Sequence, residues 1–452
     1  MMLRRKAYRQ LLRWKQEKQG KTAVLLEGAR RVGKSTLVEE FGRNEYASCL
    51  VIDFFQAPQE VRGYFEEYRA DLDTLFLYLQ AFYGMDLQRR DSLIVFDEVQ
   101  AYPAARGLIK YLVAVGRYDY IETGSLLSIK QNVESMVIPS EEETMHLEPL
   151  DFEEFLWAME EEKLAELIKR QFDSLKPLPE ALHRRAAGLL REYMLVGGMP
   201  RAVAVYTEQR KFAPVDEEKR RILELYRNDA ARFAKGYEFK VMSILDNIPG
   251  QLSKHEKKFT LSSLGKSARM RSYEEAFFWL ADARMANLCY ASNDPSVGMS
   301  LNMERLSFKC YMADTGLLVT LAFADNAATD ENVYRAVLRG DIGINEGMLV
   351  ENVVAQMLTA AGHRLFFYSS SGERLDRMEI DFLIARPYAN TAGKPRISPI
   401  EVKFPRQYST ISLDRFKEKF GKRIGTQYVL HPKQMKVEGD RIYLPLYMGW
   451  CL

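Results

Sequence analysis

"VLLEGARRVGKSTLVEEF", residues 24–41, passes from a short apolar run through a glycine-framed loop into an amphipathic stretch. The loop is an unbroken G-x-x-x-x-G-K-[ST] sequence set between a strand-like and a helix-like segment. Such a loop offers its backbone N–H groups to phosphate at a helix N-terminus, where the helix dipole adds positive potential. Gly28, Ala29, Arg30, Arg31, Val32, Gly33, Lys34, Ser35 and Thr36 are therefore the expected nucleotide contacts. Lys34 would reach the β and γ phosphates of ATP, and Ser35 would ligate Mg²⁺.

Hydrolysis needs a second, acidic element on a neighbouring strand. Residues 93–98, "LIVFDE", supply an apolar run of the kind buried in parallel sheets, with Asp97 and Glu98 at its C-terminal end, where ligands of open α/β sheets bind. Asp97 is expected to hold Mg²⁺ and Glu98 to orient and deprotonate the attacking water. A further run, "YDYIETGSLLS" (residues 118–128), ends in Thr123, Gly124 and Ser125, so a polar side chain there could sense the γ-phosphate.

Strands at about 22–27, 48–54, 92–97 and 118–123 alternate with helical stretches at 34–42, 60–82 and 104–116, which predicts a parallel sheet covered by helices. "EEE" at 141–143 reads as an acidic loop, and "LEPLDFEEF" closes this P-loop domain, placed at 1–160. Residues 161–245 read as a charge-rich helical lid broken at Gly197-Gly198 and Pro200.

"GARRVGKST", "LIVFDEVQ", "ETGSLLS", "LEPLDFEEFLWA" and "YMLVGGMPRAV" together resemble the prokaryotic AAA+-type ATPases related to the STAND group, proteins with a C-terminal domain of uncharacterised function. The resemblance implies Walker roles for Lys34, Ser35, Asp97 and Glu98, and the sensor position for Ser125. It fixes no arginine finger; Arg106, Arg117 and Arg201 are candidates.

The 452 residues should form two or three domains. A net charge of +2 gives no global polycation for nucleic acid. Basic residues are local: Arg4, Arg5, Lys6, Arg9, Arg13, Lys15, Lys18 and Lys21 accompany Leu3, Ala7, Leu11 and Trp14 at helical spacing, the pattern of a DNA-facing or transit helix or, the favoured reading, of a solvated basic face on a helix beside the sheet. The four cysteines follow neither zinc nor disulfide spacing, and the five histidines are scattered. No apolar run approaches the roughly 18 residues of a membrane span, so a cytoplasmic protein without a membrane partner is expected.

Residues 246–335 read as a helix, a short strand, two helices and a strand, which resembles a winged-helix module with its second helix starting near Ser272. Lys254, Lys257, Lys258, Lys266, Arg269 and Arg271 crowd its front, either to face DNA or as plain solvated surface. In 336–452 a long amphipathic segment precedes "RLFFYSS", "EIDFLIA" and "ISPIEVKF", then a helical run at 412–421 and further strands. This α-β-β-β-α-β order resembles the restriction-endonuclease-like fold, whose [P]D…(D/E)-x-K pattern is matched by Asp381, Glu401 and Lys403, with Glu351 on the leading helix. Ile380 stands where the pattern has proline. Glu401 and Lys403, two apart on a strand, share a face. Asp381 and Glu401 could share Mg²⁺, with Lys403 orienting water.

Two readings follow. In one, ATP drives nucleic-acid binding or metal-dependent cleavage by the C-terminal domain. In the other, the chain is a STAND-like nucleotide-gated switch whose C-terminal domain is catalytically inactive and binds a protein partner.

Overall fold

A computed structural model describes residues 3–124, 140–254, 257–265, 268–325, 329–341, 345–370, 378–387, 395–404 and 407–452. The chain packs as two compact units, Arg4–Glu148 and Pro149–Leu452.

The first unit is built on five parallel strands: β1 (Ala23–Gly28), β2 (Ser48–Asp53), β3 (Ser92–Asp97), β4 (Asp119–Gly124) and β5 (Glu142–Leu147). Their order is β2-β3-β4-β1-β5, so β4 lies between the strand entering the glycine loop and the strand bearing Asp97. The all-apolar stretches of β1 and β3 are buried on both faces, as a parallel sheet clothed by helices requires. On one face Leu25, Ile94, Phe96 and Tyr120 pack with Phe65, Leu79 and Ile109 from the covering helices.

Three details depart from the sequence reading. The helix expected over 60–82 is two helices, Gln59–Glu67 and Leu72–Tyr83, the second started by Asp71, whose carboxylate accepts the Thr74 N–H at 3.1 Å. The stretch at 104–116 likewise divides into Pro103–Arg106 and Ile109–Val115. The acidic loop expected at 141–143 instead opens edge strand β5. Its charges are tolerated because Arg106 binds Glu142 and Lys18 pairs with Glu143 at 2.7 Å. The N-terminal basic helix, Lys6–Lys18, buries Ala7, Leu11 and Trp14 as its spacing predicts, and the Lys15 ammonium stands 3.7 Å from the centre of the Tyr46 ring.

The second unit joins a run of helices to an eight-stranded mixed sheet. Its strands are β6 (Ala286–Ser292), β7 (Met303–Met312), β8 (Phe366–Ser370), β9 (Met378–Pro387), β10 (Pro395–Val402), β11 (Gln427–His431), β12 (Lys436–Glu438) and β13 (Arg441–Pro445), in the order β12-β13-β11-β10-β9-β8-β6-β7. Helix Glu346–Ala360, β8, β9, β10, helix Ile411–Phe420 and β11 run in the α-β-β-β-α-β order read from the sequence. Strand β9 is antiparallel to β8 and β10, and β10 is parallel to β11. The β6–β7 hairpin extends this sheet through parallel pairing of β6 with β8. Ahead of it lie helices Glu238–Leu252 and Met270–Asp282, the latter starting two residues before the expected Ser272, and a single 3-10 turn, Leu261–Ser263, stands among the described residues where a short strand was expected.

The Gly197-Gly198 break has a packing reason. Gly197 has φ 84°, a Cβ on Gly198 would collide with the Leu150 carbonyl oxygen, and the Gly198 N–H donates to Asp314 Oδ2 at 2.5 Å. Among the described residues no helix is long and apolar enough to cross a membrane.

Candidate functional site: the glycine loop and the ends of two strands

The loop after β1 turns into helix Lys34–Glu45 through Gly33 at φ 95°, a conformation that glycine enters without a Cβ clash. Gly28 passes so near the Leu147 carbonyl oxygen that a Cβ would not fit. Ala29 and Val32 are buried under the loop while Arg30, Arg31 and Thr36 are exposed, and Arg31 takes φ 68°. Arg5, which the sequence reading placed on a solvated face, is 8% exposed and donates to the Val32 carbonyl at 3.0 Å, bracing the loop from beneath. The Lys34 ammonium folds back over the loop and donates to the carbonyls of Gly28 (3.0 Å) and Ala29 (3.1 Å).

Asp97 and Thr123 reach the loop from β3 and β4. The Ser35 hydroxyl donates to Asp97 Oδ1 at 2.9 Å, and the Thr123 hydroxyl donates to the same oxygen. Thr123 also accepts the Glu98 N–H at 3.2 Å. One fully buried hydroxyl thus holds both acidic positions. Ser125, expected to be the sensor, lies outside the described residues. The pairing of Leu26 with Thr123 fixes which β4 side chains face the loop, and that register was not readable from "IETGS" alone.

Glu98 sits at φ 53°, immediately after β3, and Gln100 donates to its carboxylate. Burial pushes its carboxyl above the ordinary range, against the pull of Lys34. Ser35 and Asp97, with one hydroxyl and one carboxylate oxygen adjacent, fit a hard cation such as Mg²⁺.

Of the arginine-finger candidates, Arg106 is 5% exposed and spends its guanidinium on Glu142, with bonds of 3.1 and 2.8 Å. This pair lies beside the fully buried Glu122, whose carboxyl is pushed well above the ordinary range by burial and by Glu142. Arg117 pairs with Asp73. Arg201 is exposed and lies 3.8 Å from Glu218.

In the second unit, the four residues matched to the nuclease pattern come to one region. Asp381 Oδ2 accepts the Val402 N–H at 2.8 Å, and the β9–β10 register places Asp381 and Glu401 at adjoining positions. Lys403 lies 3.1 Å from Glu401 Oε2, so the strand pleat pairs them on one face. Glu351, on helix Glu346–Ala360, accepts from Tyr311, Lys257 and Lys309. Lys309, on β7, was not singled out in the sequence; its Nζ lies 3.2 Å from Glu351, 2.8 Å from Glu379 and 3.7 Å from Asp381. Burial raises the Glu351 carboxyl but Lys309 and Lys257 outweigh it, bringing it down to about 2. Asp381 is pushed up to about 6 by burial and by Glu351, and Glu401 to about 7 chiefly by burial. Lys257, from the basic cluster expected on the winged-helix front, therefore points into this acidic site; Lys266 lies outside the described residues. No three described His, Cys, Asp or Glu side chains are grouped as a metal site would need.

Residues 20–156 match the family model of an AAA domain. Residues 187–328 and 346–448 match two domains of unknown function, DUF8612 and DUF4143. No curated protein matches the chain in sequence. Among solved structures, the ORC1 protein of Aeropyrum pernix in complex with DNA aligns at 11% identity over 72% of this chain and 94% of its own, with a TM-score of 0.27. A signal transduction ATPase with numerous domains from Pyrococcus horikoshii, bearing a tetratricopeptide repeat sensor, aligns at 12% identity over 80% and 46%, with a TM-score of 0.28. The Hef helicase domain of Pyrococcus furiosus aligns at 12% identity over 95% and 91%, with a TM-score of 0.18. The parallel sheet, the glycine loop and the AAA match agree on a P-loop fold similar to the AAA domain for residues 20–156.

Proposed function

We propose that the chain binds ATP with Mg²⁺, hydrolyses it, and uses the nucleotide state to control what its C-terminal region binds. The observation that carries the hydrolytic half is the Ser35–Asp97–Thr123–Glu98 chain of hydrogen bonds. Lys34 would exchange its two loop carbonyls for the β and γ phosphates, losing two neutral acceptors and gaining charged ones. Ser35 and Asp97 would hold Mg²⁺, which supplies charge neutralisation at the phosphates. Glu98, at the end of β3 with its carboxyl raised by burial, is placed to accept a proton from water.

For the controlled partner, the winged-helix-like elements and the nuclease-like strand order support a nucleic-acid ligand. The second reading, a STAND-like switch acting on a protein, is favoured by the inward turn of Lys257, which removes one charge from the front that would face DNA.

Calorimetry on Lys34→Ala tests the nucleotide half. ATP binding should weaken by about 10²-fold or more, because the loop loses the lysine placed for the β and γ phosphates. Retained wild-type affinity would remove the assignment.

A further inference from the structure

We infer that Lys309 is the built-in cation of the C-terminal carboxylate cluster, its ammonium held where a nuclease-like site of this layout would hold a divalent metal ion. The nuclease-like strand order implies a metal between Glu351, Asp381 and Glu401, and the side chains do not fit one. The Lys309 side chain is completely buried, and its Nζ lies within 2.8–3.7 Å of Glu379, Glu351 and Asp381.

The Glu351 and Asp381 oxygens that a metal would use already face a proton donor or the Lys309 ammonium, while Glu401 Oε1 is buried without a hydrogen-bond partner among the described residues. Glu351 Oε1 receives Tyr311 and Lys309, and its Oε2 receives Lys257. Asp381 Oδ1 faces Lys309 while Oδ2 accepts the Val402 N–H. Glu401 Oε2 is paired with Lys403. A Mg²⁺ ion sits at about 2.0–2.1 Å from its oxygens, so it, or a Mn²⁺ ion in its place, would have to take the Glu351 and Asp381 oxygens from the ammonium and then lie against it. An ammonium stripped of its carboxylates in the interior is strongly disfavoured. Lysine and metal therefore exclude one another.

The topology explains how the lysine arrives. Lys309 comes from β7, in the hairpin that β6 joins to β8, outside the α-β-β-β-α-β core. The Phe367 ring on β8, 5.1 Å from the ammonium, walls the site beside it. The hairpin thus converts a metal-binding layout into a closed ion-pair network. The consequence is a C-terminal region that binds its partner without cutting it.

The inference concerns the second unit alone and stands or falls separately from ATP hydrolysis, which is assayed on the same samples. Mn²⁺ binding is followed by electron paramagnetic resonance on the nucleotide-free full-length chain at pH 8, where the carboxylates are ionised. Wild type and Asp381→Asn should give the same isotherm. Lys309→Met should gain a site at least tenfold tighter than any in wild type, and that site should vanish in Lys309→Met/Asp381→Asn. A wild-type Mn²⁺ site lost in Asp381→Asn would overturn the inference, and so would a folded Lys309→Met with an unchanged isotherm. If Lys309→Met does not fold, the comparison of wild type with Asp381→Asn decides alone.

Discussion

Replacing Thr123 by valine keeps the shape of the side chain and removes only its hydroxyl, so it isolates the contact that links the two acids. Thr123 is fully buried, donates to Asp97 Oδ1 and accepts the Glu98 N–H at 3.2 Å. A hydrogen bond to a charged group contributes about 1.5–3 kcal/mol, and a buried N–H left without an acceptor costs about 1–3 kcal/mol. If only the first of these falls on the transition state, the rate drops by roughly 10- to 150-fold, since about 1.4 kcal/mol is a factor of ten. The assay is steady-state ATP turnover at saturating Mg²⁺ and ATP, with nucleotide affinity measured in parallel. Affinity should change little, because Lys34 and the loop backbone are untouched. Thr123→Ser restores the hydroxyl and should recover turnover to within about threefold. A Thr123→Val protein turning over within twofold of wild type would show that this hydroxyl does not position the acids.

Arg5→Ala removes the brace beneath the loop and leaves the Val32 carbonyl without its buried partner; the first unit should lose about 1–3 kcal/mol in denaturant melts, and ATP affinity should fall with little change in kcat. Lys219 is fully buried, donates to the Leu195 carbonyl at 2.7 Å and to the Tyr334 hydroxyl at 3.1 Å, and burial brings it down to about 8. Its unfolded value is about 10.4, so between these pH values the unfolded chain binds more protons and the second unit should gain stability as pH rises from about 8 to about 10. Lys219→Met should flatten that rise in denaturation series; an equal slope in both proteins would refute the assignment.

How far the sequence could be read depends on how local each signal is. The P-loop and "LIVFDE" are contiguous motifs whose chemistry and strand context lie within a few residues of each other, and both elements formed where expected. Edge strand β5 was read as a loop because its first residues, Glu142 and Glu143, are neutralised by the distant Arg106 and Lys18. The pairing of Glu401 with Lys403 follows from the two-residue period of a strand. Lys309 carries no such signal: a lone lysine in "RLSFKCYM" acquires its role only through the pairing of β6 with β8 and contacts with Glu351 and Asp381 far along the chain. Thr123 was within sight in "ETGS", but its bonds to Asp97 and Glu98 follow only from the register of β4 against β1, and Ser125 lies outside the described residues.

Turnover of the Glu98→Gln protein beside wild type, with ATP affinity measured on both, decides whether Glu98 at the end of β3 activates water for ATP hydrolysis at this loop. The substitution keeps the size of the side chain and its place after Asp97, and it removes the carboxylate that would accept the proton. Because general-base catalysis is worth about 10²–10⁴ in rate, wild type should show Mg²⁺-dependent turnover, and Glu98→Gln should lose about 10²-fold or more of it with ATP affinity no weaker than wild type. Equal turnover in the two proteins, or no Mg²⁺-dependent hydrolysis by wild type, would contradict this role for Glu98.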